Sequence, residues 1–141
     1  MERLNRLYAR RLIDLEITQG LGDVYKRDAS PDEIKLIDYC MSTPFRRMFS
    51  MLCVRADMDN IPLLPSDAAK ELGTTRNTID TLISELDAYN YIDILRDERG
   101  HRSVTATKFM TDVYIKYSDA LANLALELDF AGINTARKYA E

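Results

Sequence analysis

The chain has 141 residues, 46% of them hydrophobic and 30% charged, with a net charge of −4. That length supports one domain with a real core, no apolar run reaches the roughly 18 residues of a membrane span, and the charged N-terminus lacks the apolar stretch of a secretory signal, so a cytoplasmic protein with no membrane partner is expected. The negative balance weighs against a protein that coats nucleic acid regardless of sequence, because such binding needs a surplus of cations to release counterions; a specific binder stays open.

Residues 3–17 place Leu4, Leu7, Tyr8, Leu12 and Leu15 on one helical face. Arg3, Arg6 and Arg10 share another face, which reads as solvated, with a phosphate contact as the alternative. Gly20 and Gly22 then interrupt, and residues 20–30 read as a loop. Ser30-Pro31-Asp32-Glu33 is a helix start, with a capping serine, a proline suited to the first position and a glutamate to complete a capping box. This helix stops near Thr43-Pro44, since the residue before proline avoids helical backbone. Thr43 can cap a new helix, in which Phe45, Met48, Met51 and Leu52 fall at helical spacing. Cys40 and Cys53 sit in apolar surroundings at no metal-binding spacing and read as two reduced buried thiols, with redox sensing as the alternative.

Residues 61–64 have room only for a small edge strand. Ser66 is the expected cap of a short helix over 67–72, with Ala68, Ala69 and Leu72 inward and Gly73 as its left-handed stop. Thr75 caps the next helix, which runs to about residue 89 and turns Ile79, Leu82, Ile83 and Leu86 inward. Asn90 can end it. Strand-like runs follow at 91–95 and 103–108, joined by the charged tip Arg96-Asp97-Glu98-Arg99-Gly100-His101-Arg102. A last helix starts near residue 110 and carries Tyr114, Tyr117, Leu121, Leu124 and Leu128 in alternating steps of three and four, up to a break at Gly132.

A short helix, a glycine turn and a longer helix make a helix-turn-helix, and the two strands with a basic tip make a wing. A recognition helix lies in the major groove with its first residues nearest the base edges. With the four apolar residues inward, Asn77, Thr81, Ser84 and Ala88 point outward, and Arg76 and Thr78 flank them. Asn suits adenine, Arg suits guanine, and Thr suits a base edge or a thymine methyl. The segment 96–108 carries Arg96, Arg99, Arg102 and Lys108 against Asp97 and Glu98, a basic island in an acidic chain. Its arginines fit a phosphate backbone or the minor groove, and His101, the only histidine, reads as solvated or phosphate-contacting. Against DNA stand three acids on the recognition helix, Asp80, Glu85 and Asp87, beside a single cation, Arg76. A winged-helix protein-interaction module is therefore the second reading. Enzymatic readings find no phosphate loop, no Gly-x-Ser-x-Gly, no His-Glu-x-x-His and no cysteine pair.

Residues 43–108 resemble the MarR family of winged-helix regulators. The stretch Gly73-Thr74-Thr75-Arg76-Asn77-Thr78-Ile79-Asp80-Thr81-Leu82-Ile83-Ser84-Glu85-Leu86 is similar to that family's recognition helix, and Asp97-Glu98-Arg99 to its Asp-x-Arg wing. The resemblance implies a homodimer that binds a pseudo-palindromic site, usually as a repressor, and a small phenolic or similar effector. It also implies that Arg99 is the wing-tip arginine positioned by Asp97, and that residues 75–78 and Thr81 face the groove. The sequence departs from the pattern at Thr81, where an Arg or Lys is common, at Asp80, where a small hydroxyl is common, and at Asn90, where a glycine is usual. The Tyr114–Leu128 stripe fits either a core seam within the chain or a dimer interface.

The expectation is a mainly α protein, a winged helix-turn-helix with a three-helix core and a small β-wing, flanked by N- and C-terminal dimerisation helices. Residues 1–42 form the first region, 43–109 the winged unit and 110–141 the last. The DNA-binding set is Thr75, Arg76, Asn77, Thr78, Thr81, Ser84, Arg99, His101 and Arg102. The dimer set is Leu4, Leu7, Tyr8, Tyr114, Tyr117, Leu121, Leu124 and Leu128. No cofactor or metal is expected; the partners are double-stranded DNA, a second copy and a small-molecule effector.

Overall fold

The computed structural model describes residues 2, 3, 5–7, 9, 10, 13 and 29–128, without the side chains of 120, 121 and 124–128. The elements are α1 (Pro31–Met41), α2 (Pro44–Asp59), α3 (Pro65–Leu72), α4 (Arg76–Ala88), β1 (Ile92–Arg96), β2 (Arg102–Ala106) and α5 (Lys108–Leu128). Pro31–Tyr114 is one compact unit, and residues 1–30 with 115–141 belong to another. The site lies wholly within the first unit, which takes in α1 as well as the helix-turn-helix.

Local chemistry sets the helix ends. Thr43 is extended, its hydroxyl accepts from the Arg46 amide at 3.2 Å, and Pro44 takes the first turn of α2. α3 begins differently from the sequence expectation. Pro65 occupies the first turn and is buried, while Leu64 stands at the cap position with no side-chain hydrogen bond. Ser66 is thus already inside the helix and caps nothing, because the fixed φ of proline starts the turn one residue earlier. Gly73 ends α3 at φ 64, left-handed backbone that costs glycine little. Thr75 caps α4 by accepting from the Thr78 amide at 3.2 Å, and Asn90, at φ 60, follows its end.

The hairpin is antiparallel, in register from Ile92↔Ala106 to Arg96↔Arg102. The third strand expected at 61–64 shrinks to one bridge, Leu63↔Val104, closed by backbone bonds of 2.8 and 2.9 Å. Prolines explain this: Pro62 has no N–H to donate, and Pro65 turns the chain into α3. Thr107 joins wing to helix. Its hydroxyl donates to the Tyr91 carbonyl at 3.1 Å and accepts from the Met110 amide at 3.3 Å, so α5 starts at Lys108 rather than near 110.

The core is the meeting of the inward faces. Ile79, Leu82, Ile83 and Leu86 of α4 are all buried, together with Leu36 of α1, Phe49 and Val54 of α2, Val104 of β2 and Met110 of α5. Ala68 is fully buried on α3, which packs on α4. Thr111 donates to Asp57 at 2.6 Å and ties the start of α5 to α2. Of the terminal stripe, Leu7 is exposed, Tyr114 half-buried and Tyr117 buried. Leu4, Tyr8 and Gly132, and the side chains of Leu121, Leu124 and Leu128, lie outside the described residues. No described helix is long and apolar enough to cross a membrane.

Candidate nucleic-acid interface

Capping Thr75 and burying the apolar stripe leave one face of α4 open. Asn77, Thr81 and Ser84 are exposed along it, with Arg76 at its first turn. The Thr75 and Thr78 hydroxyls lie 3.1 Å apart at the helix start. Thr81 donates to the Asn77 carbonyl and Ser84 to the Asp80 carbonyl, each at 3.0 Å. Both hydroxyl hydrogens are thereby spent on the helix, leaving oxygen lone pairs outward as acceptors.

The wing tip is held by its own first residue. One Asp97 carboxylate oxygen accepts from the Arg99 and His101 amides, both at 2.9 Å. The Gly100 amide returns to the Asp97 carbonyl at 3.0 Å, and Gly100 stands at φ 79. This is a tight turn followed by a left-handed glycine, a common three-residue hairpin connection. The His101 amide, followed by the Arg99 amide, holds the Asp97 carboxyl below the usual aspartate range. Arg99 and His101 are exposed at the tip, and His101 lies 3.5 Å from the other Asp97 oxygen.

Arg102 is placed differently from the sequence reading. It stands opposite Arg96 in the strand pair next to the turn, and its side chain is only 26% exposed, because it donates to the Asp80 carboxylate on α4. Arg76 donates to the same oxygen through Nε at 3.1 Å. Asp80 therefore collects one cation from its own helix and one from the wing.

Glu85 is likewise turned away from the open face. Arg46 donates to it through Nε at 3.0 Å and through Nη2 at 3.1 Å, and the Tyr39 hydroxyl adds a bond of 2.8 Å. The Arg46 bonds hold Glu85 below its usual value of 4.5, and burial together with Glu85 pushes Tyr39 up. Around this clamp Tyr39 meets Tyr89 edge-on at 5.7 Å, Tyr89 stacks on Tyr91 at 5.5 Å, and Arg46 lies over Tyr39 at 5.3 Å. Sequence reasoning missed the cluster; the tyrosines on either side of Asn90 were its only signal. Of the three acids that argued against DNA, two are occupied by arginines and only Asp87 is exposed without a role in these clamps.

A depressed carboxylate stabilises the fold above its unfolded value, and that contribution is lost as pH falls through the folded value. Glu85→Gln is therefore expected to unfold about 1 kcal/mol more easily at pH 7, a figure reduced for the partial exposure of the pair. The gap should close as pH falls below 4.5. Urea unfolding of both proteins across pH checks it.

Cys53 is buried and Cys40 half-buried, and both are free. Burial raises both thiols, which lowers the thiolate fraction of each. An apolar cavity of about 380 Å³ lies against α2, lined by Met48, Met51, Leu52, Met58, Leu72 and Tyr114. Among the described residues no group of three His, Cys, Asp or Glu is placed to hold a metal ion.

No protein-family model matches the chain, and no curated protein matches it. Solved structures do. The transcriptional regulator Tm0710 from Thermotoga maritima aligns with 18% identity over 77% of this chain and 76% of its own, at a TM-score of 0.54. MepR of Staphylococcus aureus, in its complex with DNA, aligns with 15% identity over 95% of this chain and 99% of its own, at 0.52. The heme sensor protein PefR, in complex with heme and carbon monoxide, aligns with 15% identity over 96% and 89%, at 0.56. The chain has the winged-helix fold of MarR-type transcription regulators, as the resemblance in its helix-turn-helix and wing implied.

Proposed function

We propose that the chain is a sequence-specific double-stranded DNA-binding regulator of transcription, working in the cytoplasm as a homodimeric repressor on a pseudo-palindromic operator. One observation carries the reading. The open face of α4 presents Asn77, Thr81 and Ser84, the wing tip presents an exposed Arg99, and the acids Asp80 and Glu85 are paired with arginines. An unneutralised acidic helix would repel phosphates; this one does not carry the charge its sequence suggests. That a protein of this fold, MepR, has been captured with DNA supports the same reading.

Asn77, Thr81 and Arg76 read base edges, and Arg99 grips the backbone or the adjacent minor groove. One short helix reads few base pairs, so a two-fold dimer on half-sites about one helical turn apart supplies the rest of the specificity. The cavity beside Met51 and Tyr114 is the place for a small apolar effector.

Arg99→Ala tests the wing assignment. Affinity for every duplex should fall, and the slope of log affinity against log salt should flatten by about 0.9 for each phosphate that Arg99 no longer neutralises. A titration from low to near-physiological salt reads both. An unchanged slope would remove Arg99 from the interface, and a wild-type protein that binds no duplex even at low salt would favour the protein-interaction reading.

A further inference from the structure

We propose that Asp80 is a positioning residue that sets specificity: it holds Arg76 to read a guanine and ties the wing to the recognition helix. The inference rests on the DNA-binding reading above and adds to it a residue that never touches a base.

Asp80 lies one helical turn beyond Arg76. A single oxygen, Oδ1, accepts from Arg76 Nε and from Arg102 Nη2. Arg102 is far away in sequence, on the first residue of β2, so one carboxylate bridges the recognition helix and the second wing strand. The bridge fixes the tip end of β2 against the side of α4. It also restrains the Arg76 side chain, which otherwise has several rotatable bonds on an exposed first turn.

The atoms used are informative. Arg76 spends its Nε–H on Asp80, so its two terminal amino groups remain free of that bond. Their spacing matches the O6 and N7 acceptors of guanine in the major groove. A guanidinium already oriented by a carboxylate loses less freedom when it meets the base, and it turns to other bases less readily. The charge works in the same direction. With one carboxylate between two guanidiniums, the trio carries a single net positive charge, which weakens the attraction to phosphates that every sequence offers equally. Asp80 thus favours the right site by orientation and disfavours wrong sites by charge. In the sequence alone it counted as a departure from the usual small hydroxyl and as one of three acids that stand against DNA.

Asp80→Asn keeps the size and one acceptor oxygen but removes the charge. The full-length variant is compared with wild type on a selected duplex, on the same duplex with each G·C pair of a half-site changed in turn, and on a random duplex. Affinity for the random duplex should rise and its salt dependence steepen. Discrimination at one G·C position should fall by about tenfold. Arg76→Ala should lose discrimination at that same position, and the double variant should lose little more, as expected for two residues acting as one unit. Hydrogen exchange on the DNA-free variant should show less protection in β1 and β2.

A purely structural role would lower affinity for all duplexes in proportion, and that result would overturn the proposal, as would unchanged discrimination. Wild-type protein that binds neither duplex would overturn the DNA-binding reading and this inference together. Normal wild-type binding with a silent Asp80→Asn would overturn the inference alone.

Discussion

Phe49→Ala is expected to cost about 3–5 kcal/mol of folding stability, the largest single loss among the described residues. Phe49 is completely buried on α2, and α2 packs against α1, α3, α4 and β2. Removing the ring deletes its burial and leaves a cavity where several elements meet, and neighbours on separate elements cannot all move to fill it. A domain of this size has about 5–15 kcal/mol in total, so the variant should stand close to unfolding at room temperature. Urea denaturation monitored by circular dichroism measures the loss. A drop below about 1 kcal/mol would mean that α2 is not the centre of the core.

Thr81→Glu should do the opposite: leave the fold intact and abolish site-specific binding. Thr81 is exposed on α4, and its hydroxyl bonds only to the helix's own backbone. Glutamate is the better helix former, so melting should be unchanged or slightly raised. In the groove, however, its carboxylate would face phosphates and base acceptors with no cation assigned to it. A desolvated, unpaired charge costs several kcal/mol, and a two-fold dimer incurs that cost in both half-sites. Affinity for the selected duplex should fall at least about 100-fold. Electrophoretic mobility shift with a parallel thermal melt separates the two effects. Unimpaired binding would place the DNA on another face.

What the sequence showed and what it hid divide along one physical line. Thr43 before Pro44, Gly73 and Thr75 act on backbone within a few residues, and each is found in the role its chemistry predicts. The spacing of Ile79, Leu82, Ile83 and Leu86 was sufficient to find the buried side of α4, because helical periodicity is a local signal. Ser66 failed because two local signals competed and Pro65 outweighed a capping hydroxyl. The pairing of Arg102 and Glu85 was hidden for a different reason. Their partners, Asp80 and Arg46, lie on other elements, so the opposite charge that meets each of them is not visible in the local sequence. The aromatic packing of Tyr39, Tyr89 and Tyr91 is hidden in the same way, since it depends on where α1 lands. Local chemistry was therefore enough to locate the open face of α4, whereas its electrostatics needed the tertiary structure.

The central claim is that the open face of α4 reads duplex sequence. The most direct test is selection of bound duplexes from a random DNA library at near-physiological salt, with the oligomeric state measured on the same sample. The expected result is enrichment of an inverted repeat with half-sites about one helical turn apart, bound by a dimer. No enrichment from a folded wild-type protein, together with no salt-dependent affinity for any duplex, would contradict the claim.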